Sequence, residues 1–242
     1  MIERPILFSG EMVRAILAGR KTQTRRVVMP MPPPNRHDSA VVEYDSVRRM
    51  LIHYSRIAGV WNEINKWECP YGGIGDRLWV REAWDIMPYG GRDVRLAYRA
   101  DGEHRRVSAP DGFDLTPYRF ERWRPSIHMP RWASRITLEV VSARAERLRD
   151  ITEQDAIAEG VERKGDAIWK RDDFKNHPLL PPEGMEANWR CYARHGRFTC
   201  CISAKQSFMT LWDSINGKRE GCAWNSAPWV WAVEFKVMEA GA

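Results

Sequence analysis

The stretch Leu17-Ala18-Gly19-Arg20-Lys21-Thr22-Gln23-Thr24-Arg25-Arg26 constrains this chain more than any other. Apolar residues at helical spacing, Met12, Val13, Ile16 and Leu17, run up to Gly19 and stop there. Glycine just past a helix takes the left-handed backbone conformation at little cost and turns the chain sharply. A dense group of cations and hydroxyls follows at once. Lys21 and Thr24 are therefore expected on a tight turn, with Arg20, Arg25 and Arg26 close by. Such a turn can bind an anion, or hold an amine beside a hydroxyl for nucleophilic chemistry. A solvated basic loop is the plain alternative.

The flanking sequence predicts short elements. Pro5-Ile6-Leu7-Phe8 reads as a strand, Ser9 as a helix N-cap, and Glu11 as an acid placed at the positive end of the helix dipole. Residues 24–28 read as extended and the proline run 30–34 ends them. Residues 35–70 show no sustained period and read as an excursion. Tyr71-Gly72-Gly73-Ile74-Gly75-Asp76 reads as a turn into a strand over residues 77–84. These glycines are no dinucleotide fingerprint, because a strand follows where a helix is required. Turns and short strands are expected over 85–125, and 123–134 is irregular, proline-pinned and rich in arginine and tryptophan.

Ile136, Leu138 and Val140 then alternate along a strand over 135–148. A short helix follows, with Thr152 as N-cap, Asp155 three residues later and Gly160 as stop. Residues 163–202 are polar and proline-punctuated, a second excursion. Ser203 and Gln206 predict a capping box for a helix with Phe208, Met209, Leu211, Trp212 and Ile215 on one face, ended by Gly217. The closing strand places Trp229, Trp231, Val233, Phe235 and Val237 on one side. The sum is an α+β fold over residues 1–242: a small β-barrel with peripheral helices and insertions at about 35–70 and 163–202.

Composition narrows the setting. The chain has 242 residues, 43% of them hydrophobic, and its apolar runs fall well short of the ~20 residues that span a bilayer. Met1-Ile2-Glu3-Arg4-Pro5 lacks the basic start and apolar core of a signal peptide. Five cysteines, an odd number, point to a reducing cytoplasm and away from a disulfide framework. A cytoplasmic protein with no membrane partner is expected. A net charge of +6 favours acidic partners, nucleic acid foremost. Twelve tryptophans fit either a core or base-stacking platforms beside arginines. Trp79, Trp84 and Trp132 are the stacking candidates, whereas Trp229 and Trp231 read as core.

Gly19-Arg20-Lys21 with Thr24 and Arg26 resembles the Gly-x-Lys-x-x-Glu-x-Arg signature of ASCH domains, relatives of the PUA RNA-binding barrel. The Gly75-Asp76 turn, the Ile151-Thr152-Glu153 helix start and the Val233-Glu234-Phe235 strand are similar to that family too, and the whole chain resembles ASCH-like proteins of bacteriophages and prophages. Thr24 stands where the usual signature has glutamate. A bacterial subgroup similar to the N4-acetylcytidine amidohydrolases has threonine there, in a stretch reading Leu-Ala-Gly-Arg-Lys-Thr-x-Thr that this chain shares. The resemblance implies a PUA-like barrel and a catalytic set of Lys21, Thr24 and Glu159; no cofactor and no metal are expected.

Hydrolysis of an amide at the exocyclic nitrogen of cytosine needs a nucleophile, a base and an acid for the leaving amine. Thr24 can supply the hydroxyl and Lys21 the base, if burial and neighbouring arginines lower its pKa. In the other assignment Lys21 holds the oxyanion while water attacks. Glu159, in the last turn of its helix where the dipole disfavours a carboxylate, can act as acid or accept from the cytosine amino edge. Arg20 and Arg26 are candidates for substrate contact. Arg26 can equally pair with a carboxylate, for which Glu82 is a candidate, and Glu82 is itself counted with the substrate-binding set.

Cys191, His195, Cys200 and Cys201 cluster in sequence, but their spacing matches no paired zinc knuckle, so no metal is assigned. The partners expected are a modified nucleoside or nucleobase, and RNA or DNA. The rival readings are a non-catalytic RNA/DNA-binding module and a ribonuclease.

Overall fold

The structure, a computed structural model, describes residues 1–35, 39–118, 122–163, 189–192 and 200–238. Its strands are, in chain order, β1 (Glu3–Leu7), β2 (Gln23–Val27), β3 (Ala40–Asp45), β4 (Met50–Ile57), β5 (Val60–Glu68), β6 (Arg77–Arg81), β7 (Trp84–Gly90), β8 (Asp93–Tyr98), β9 (His104–Ser108), β10 (Thr137–Arg147), β11 (Trp189–Arg190), β12 (Cys200–Cys201) and β13 (Trp229–Met238). The helices are α1 (Gly10–Leu17), α2 (Glu153–Ala158) and α3 (Ala204–Asn216). The protein is α+β and strand-dominated, and no closed barrel forms among the described residues. No described helix is long and apolar enough to cross a membrane. The chain divides into one unit of Met1–Gly19, Pro70–Ala143 and Glu234–Ala242, and another of Arg20–Cys69 and Arg144–Val233.

In the first unit, the Ser9 hydroxyl accepts from the Met12 amide at 3.4 Å and starts α1. Gly19, at φ +69°, turns the chain out of it. Val13, Ala15 and Ile16 form the buried face of α1, while Leu17, expected there, is exposed at its end. β1 runs parallel to β6, and β6 pairs antiparallel with β10. The strand expected over 77–84 is broken in two. β6 stops at Arg81, and Trp84 opens β7, where its ring joins a core of Ile86, Val94, Leu96 and Tyr98. The chain therefore changes sheets between Arg81 and Trp84, and Trp84 is fully buried in the second one. β7, β8 and β9 form an antiparallel meander in the region expected to hold turns and short strands.

In the second unit, residues 40–68 form a three-stranded antiparallel meander, β3-β4-β5, where the sequence shows no clear period. β5 is exposed along nearly its whole length, so it has no apolar face to generate an alternation. Its turn, Ala58-Gly59, has positive φ at both residues, the two-residue geometry that matches strand twist. Ser203 caps α3 by accepting from the Gln206 amide at 3.1 Å, but the Gln206 side chain accepts from Ile202 rather than closing the expected box on Ser203. Phe208 and Trp212 are buried in a core with Leu148, Ile151, Ala156, Trp224 and Val230, while Ile215 is exposed. Both Val230 and Trp231 are buried, so this part of β13 is covered on two faces and not on one, as its alternation suggested. Most of the excursion expected at 163–202 lies outside the described residues.

Candidate functional site

The site begins with a capping box. The Thr152 hydroxyl accepts from the Asp155 amide at 3.1 Å, and the Asp155 carboxylate accepts from the Thr152 amide at 3.4 Å. This closes the N-terminus of the six-residue α2. Asp155 and Glu159, four residues apart, therefore share one helix face. Gly160, at φ +84°, turns the chain away immediately afterwards. The backbone beyond Gly19 then lies against this helix end. Lys21 pairs with Glu159 as an isolated antiparallel bridge, and the Thr22 amide donates to the Ala158 carbonyl at 2.9 Å.

Lys21 is almost wholly buried, and its Nζ donates three hydrogen bonds. They go to the Gln23 carbonyl at 2.7 Å, the Glu159 carbonyl at 2.9 Å and Glu159 Oε2 at 2.7 Å. An ammonium has three donors, and each has an acceptor here. Burial pulls the Lys21 pKa below its ordinary value against the pull of the Glu159 carboxylate, and the Arg26 and Arg25 charges act with burial.

Along β2 successive side chains face opposite sides, so Gln23 and Arg25 share a face. Both meet α2. Gln23 Nε2 donates to Asp155 Oδ1 at 3.1 Å, and Arg25 donates to the Gln23 side-chain oxygen. The buried guanidinium of Arg25 reaches three carboxylates: Glu146 of β10 at 2.6 Å, Asp155 at 3.1 Å and Glu159 at 3.3 Å. Arg144 completes the balance, with Nε donating to Glu146 at 2.9 Å. Three cations, Lys21, Arg25 and Arg144, thus face three acids, Glu146, Asp155 and Glu159. Burial raises the Asp155 carboxyl, but the Gln23 bond, the Arg25 charge and the Thr152 bonds together hold it below its usual value.

Of the expected catalytic set, the structure brings Lys21 and Glu159 together. Thr24 is buried, and the alternation of β2 sends it to the face opposite Gln23 and Arg25, the same side as the half-buried Arg26. Arg20 is exposed and donates to the Gly160 carbonyl at 3.4 Å, beside the end of α2. Sequence reasoning passed over Gln23, Glu146 and Asp155 as site residues and treated Arg25 only as part of a basic cluster. The signal available was the odd-numbered face of residues 21, 23 and 25 set against the i, i+4 acids of α2.

Trp79, Glu82, Trp84 and Trp132 lie in the first unit. Trp79 is buried on β6, with the Arg81 guanidinium 4.9 Å from its ring centre. Glu82 is buried and pairs with Arg135, at 2.9 Å to Nε and 3.1 Å to Nη2, so the carboxylate proposed for Arg26 has another partner. Trp84 is fully buried in the core and not presented as a stacking surface. Trp132 meets Phe113 edge-on at 5.0 Å. Cys191 is half-buried and Cys201 is buried, while His195 and the side chain of Cys200 lie outside the described residues. No group of three or more metal-ligating side chains forms among the described residues.

No family model, curated protein or solved structure matches this chain.

Proposed function

We propose that the protein binds a modified pyrimidine nucleoside, free or within nucleic acid, at the Lys21–Glu159 site and hydrolyses an N4-acyl amide of cytosine there, on an ASCH-type, PUA-like scaffold. The observation that carries this reading is the 2.7 Å contact between two buried ionisable groups, Lys21 and Glu159. A buried ion pair adds little stability over well-packed apolar residues of the same volume, and buried groups with shifted pKa values gather at functional sites. The resemblance of the Leu-Ala-Gly-Arg-Lys-Thr-x-Thr stretch to N4-acetylcytidine amidohydrolases supports the same assignment.

Of the two chemical assignments, attack by water fits the geometry better. Lys21 has three bonded donors and no free lone pair, and Thr24 lies across β2 from Gln23 and Arg25. A buried ammonium with raised acidity is a strong donor to a developing oxyanion. Lys21 would exchange one backbone acceptor for the amide oxygen of the substrate. Glu159 takes a proton from the attacking water and returns it to the departing N4 amine, leaving the free acid and cytidine.

The second reading, a non-catalytic RNA- or DNA-binding module, is favoured by the same full bonding of Lys21 and by the net charge of +6. An absorbance assay with N4-acetylcytidine separates the two. The wild type turns over, Lys21→Ala and Glu159→Gln lose at least ~100-fold, and Thr24→Ala keeps most activity. Equal loss in Thr24→Ala assigns the nucleophile to threonine. Absence of turnover on any N4-acyl cytosine, alongside salt-sensitive oligonucleotide binding, leaves the binding module.

A further inference from the structure

The outer face of the β7-β8-β9 meander carries a second concentration of positive charge. Its inner face is apolar, with Ile86, Val94, Leu96 and Tyr98 buried. On the other face, Arg95 of β8 stands directly opposite Arg106 of β9, with Met87 of β7 completing the row. Like charges directly opposite on neighbouring strands destabilise a sheet. Among the described residues neither arginine has a carboxylate within ion-pair distance, although Asp93, two residues before Arg95 on the same face of β8, lies close to Arg106. The surrounding acids are already engaged: Asp85 by Arg124 at 2.8 Å, Asp111 by Arg92 at 3.2 Å, and Asp101 by Arg135 at 2.9 Å.

Three further features share this region. Tyr89, at the irregularity where β7 pairs with β8, is exposed, and the Arg106 guanidinium sits 5.2 Å from its ring centre. A cavity of about 510 Å³ is lined by Tyr89, Asp93, Val94, Arg106, Val107 and Ser108. The Asp93 carboxylate within it accepts from the Ser108 hydroxyl at 2.7 Å. β9 lies at the edge of its sheet, and the exposed His104 shares the face of Arg106, while Arg105, opposite Leu96, lies on the other face.

We propose that this face binds single-stranded nucleic acid, with phosphodiester oxygens between Arg95 and Arg106 and a base stacked on Tyr89. A phosphate between two guanidiniums turns their mutual repulsion into two charge-assisted contacts. An exposed ring beside a cation is the sequence-tolerant platform that single strands use. An acidic peptide would satisfy the arginines and leave the ring without a role. The inference stands on residues other than Lys21 and Glu159 and does not rest on the amidohydrolase reading.

The test is fluorescence anisotropy of a labelled 12-nucleotide oligouridylate over a salt series. Arg95→Gln/Arg106→Gln is expected to weaken binding at least 10-fold at low salt and to reduce the log–log salt slope by about 0.7, the contribution of one neutralised phosphate. Tyr89→Ala is expected to weaken oligouridylate binding about 5-fold or more, in line with base stacking, while heparin binding is unchanged. The replaced side chains are at the surface, and circular dichroism confirms that each variant is folded. Unchanged affinity and slope in the double variant overturns the proposal, as does polyglutamate bound as tightly as the oligonucleotide.

Discussion

Lys21 and Glu159 lie 138 positions apart in the chain, yet their side chains meet at 2.7 Å with exposures of 0% and 4%. Glu159→Gln leaves the buried Lys21 charge facing backbone carbonyls alone and should cost about 3–5 kcal/mol, whereas Lys21→Met leaves Glu159 still paired with Arg25 at 3.3 Å and should cost less. The double variant Lys21→Met/Glu159→Gln removes both charges and should cost clearly less than the sum of the two. Urea denaturation of the four proteins measures the coupling directly.

The lowered Asp155 carboxyl gives an acid limb of known sign. A carboxyl held below its unfolded value contributes its full stability above that value, 3.8, and loses it as pH falls through the native pKa. Asp155→Asn should therefore be less stable than the wild type at pH 7, with the gap narrowing below pH ~4. Urea midpoints collected from pH 7 down to pH 3 read this out.

Thr152 acts on the site at one remove. Its hydroxyl holds the first turn of α2, and α2 holds both Asp155 and Glu159. Thr152→Ala should lower stability by about 1 kcal/mol, and Thr152→Ser should restore most of it. Thermal melts of the three proteins provide the comparison.

Burial pushes the Tyr98 hydroxyl up to about 12. Its OH donates to the Ala133 carbonyl at 2.9 Å, and the Arg135 guanidinium lies 4.2 Å from its ring centre. In a spectrophotometric titration of the native protein, Tyr98→Phe should leave the tyrosinate signal below pH ~11 unchanged and remove amplitude only above it. The same substitution should cost about 0.5–1.5 kcal/mol from the lost hydrogen bond.

Local chemistry was legible wherever one residue type answers one backbone need. The Ser9 cap, the Gly19 turn, the Thr152–Asp155 box and the Gly160 stop all stand where the sequence predicts them. Elements defined by burial were read less well. The break between β6 and β7 is invisible in residues 77–84, because Trp84 suits a continuing strand as well as the start of a new one. The β3-β4-β5 meander escaped because β5 buries almost nothing and so carries no period. Ile215 and Leu17 fit their helical patterns but lie exposed at the C-terminal ends of α3 and α1.

The candidate site divides in the same way. By itself the sequence determined where α1 and α2 begin and end, because caps and left-handed glycines act within a few residues. It also set the spacing that puts Asp155 and Glu159 on one face and Gln23 and Arg25 on another. Only the tertiary structure decided that Arg25 sits among three carboxylates and that Glu82 belongs to Arg135. Periodicity assigns a side chain to a face, whereas its partner depends on which distant element packs against that face.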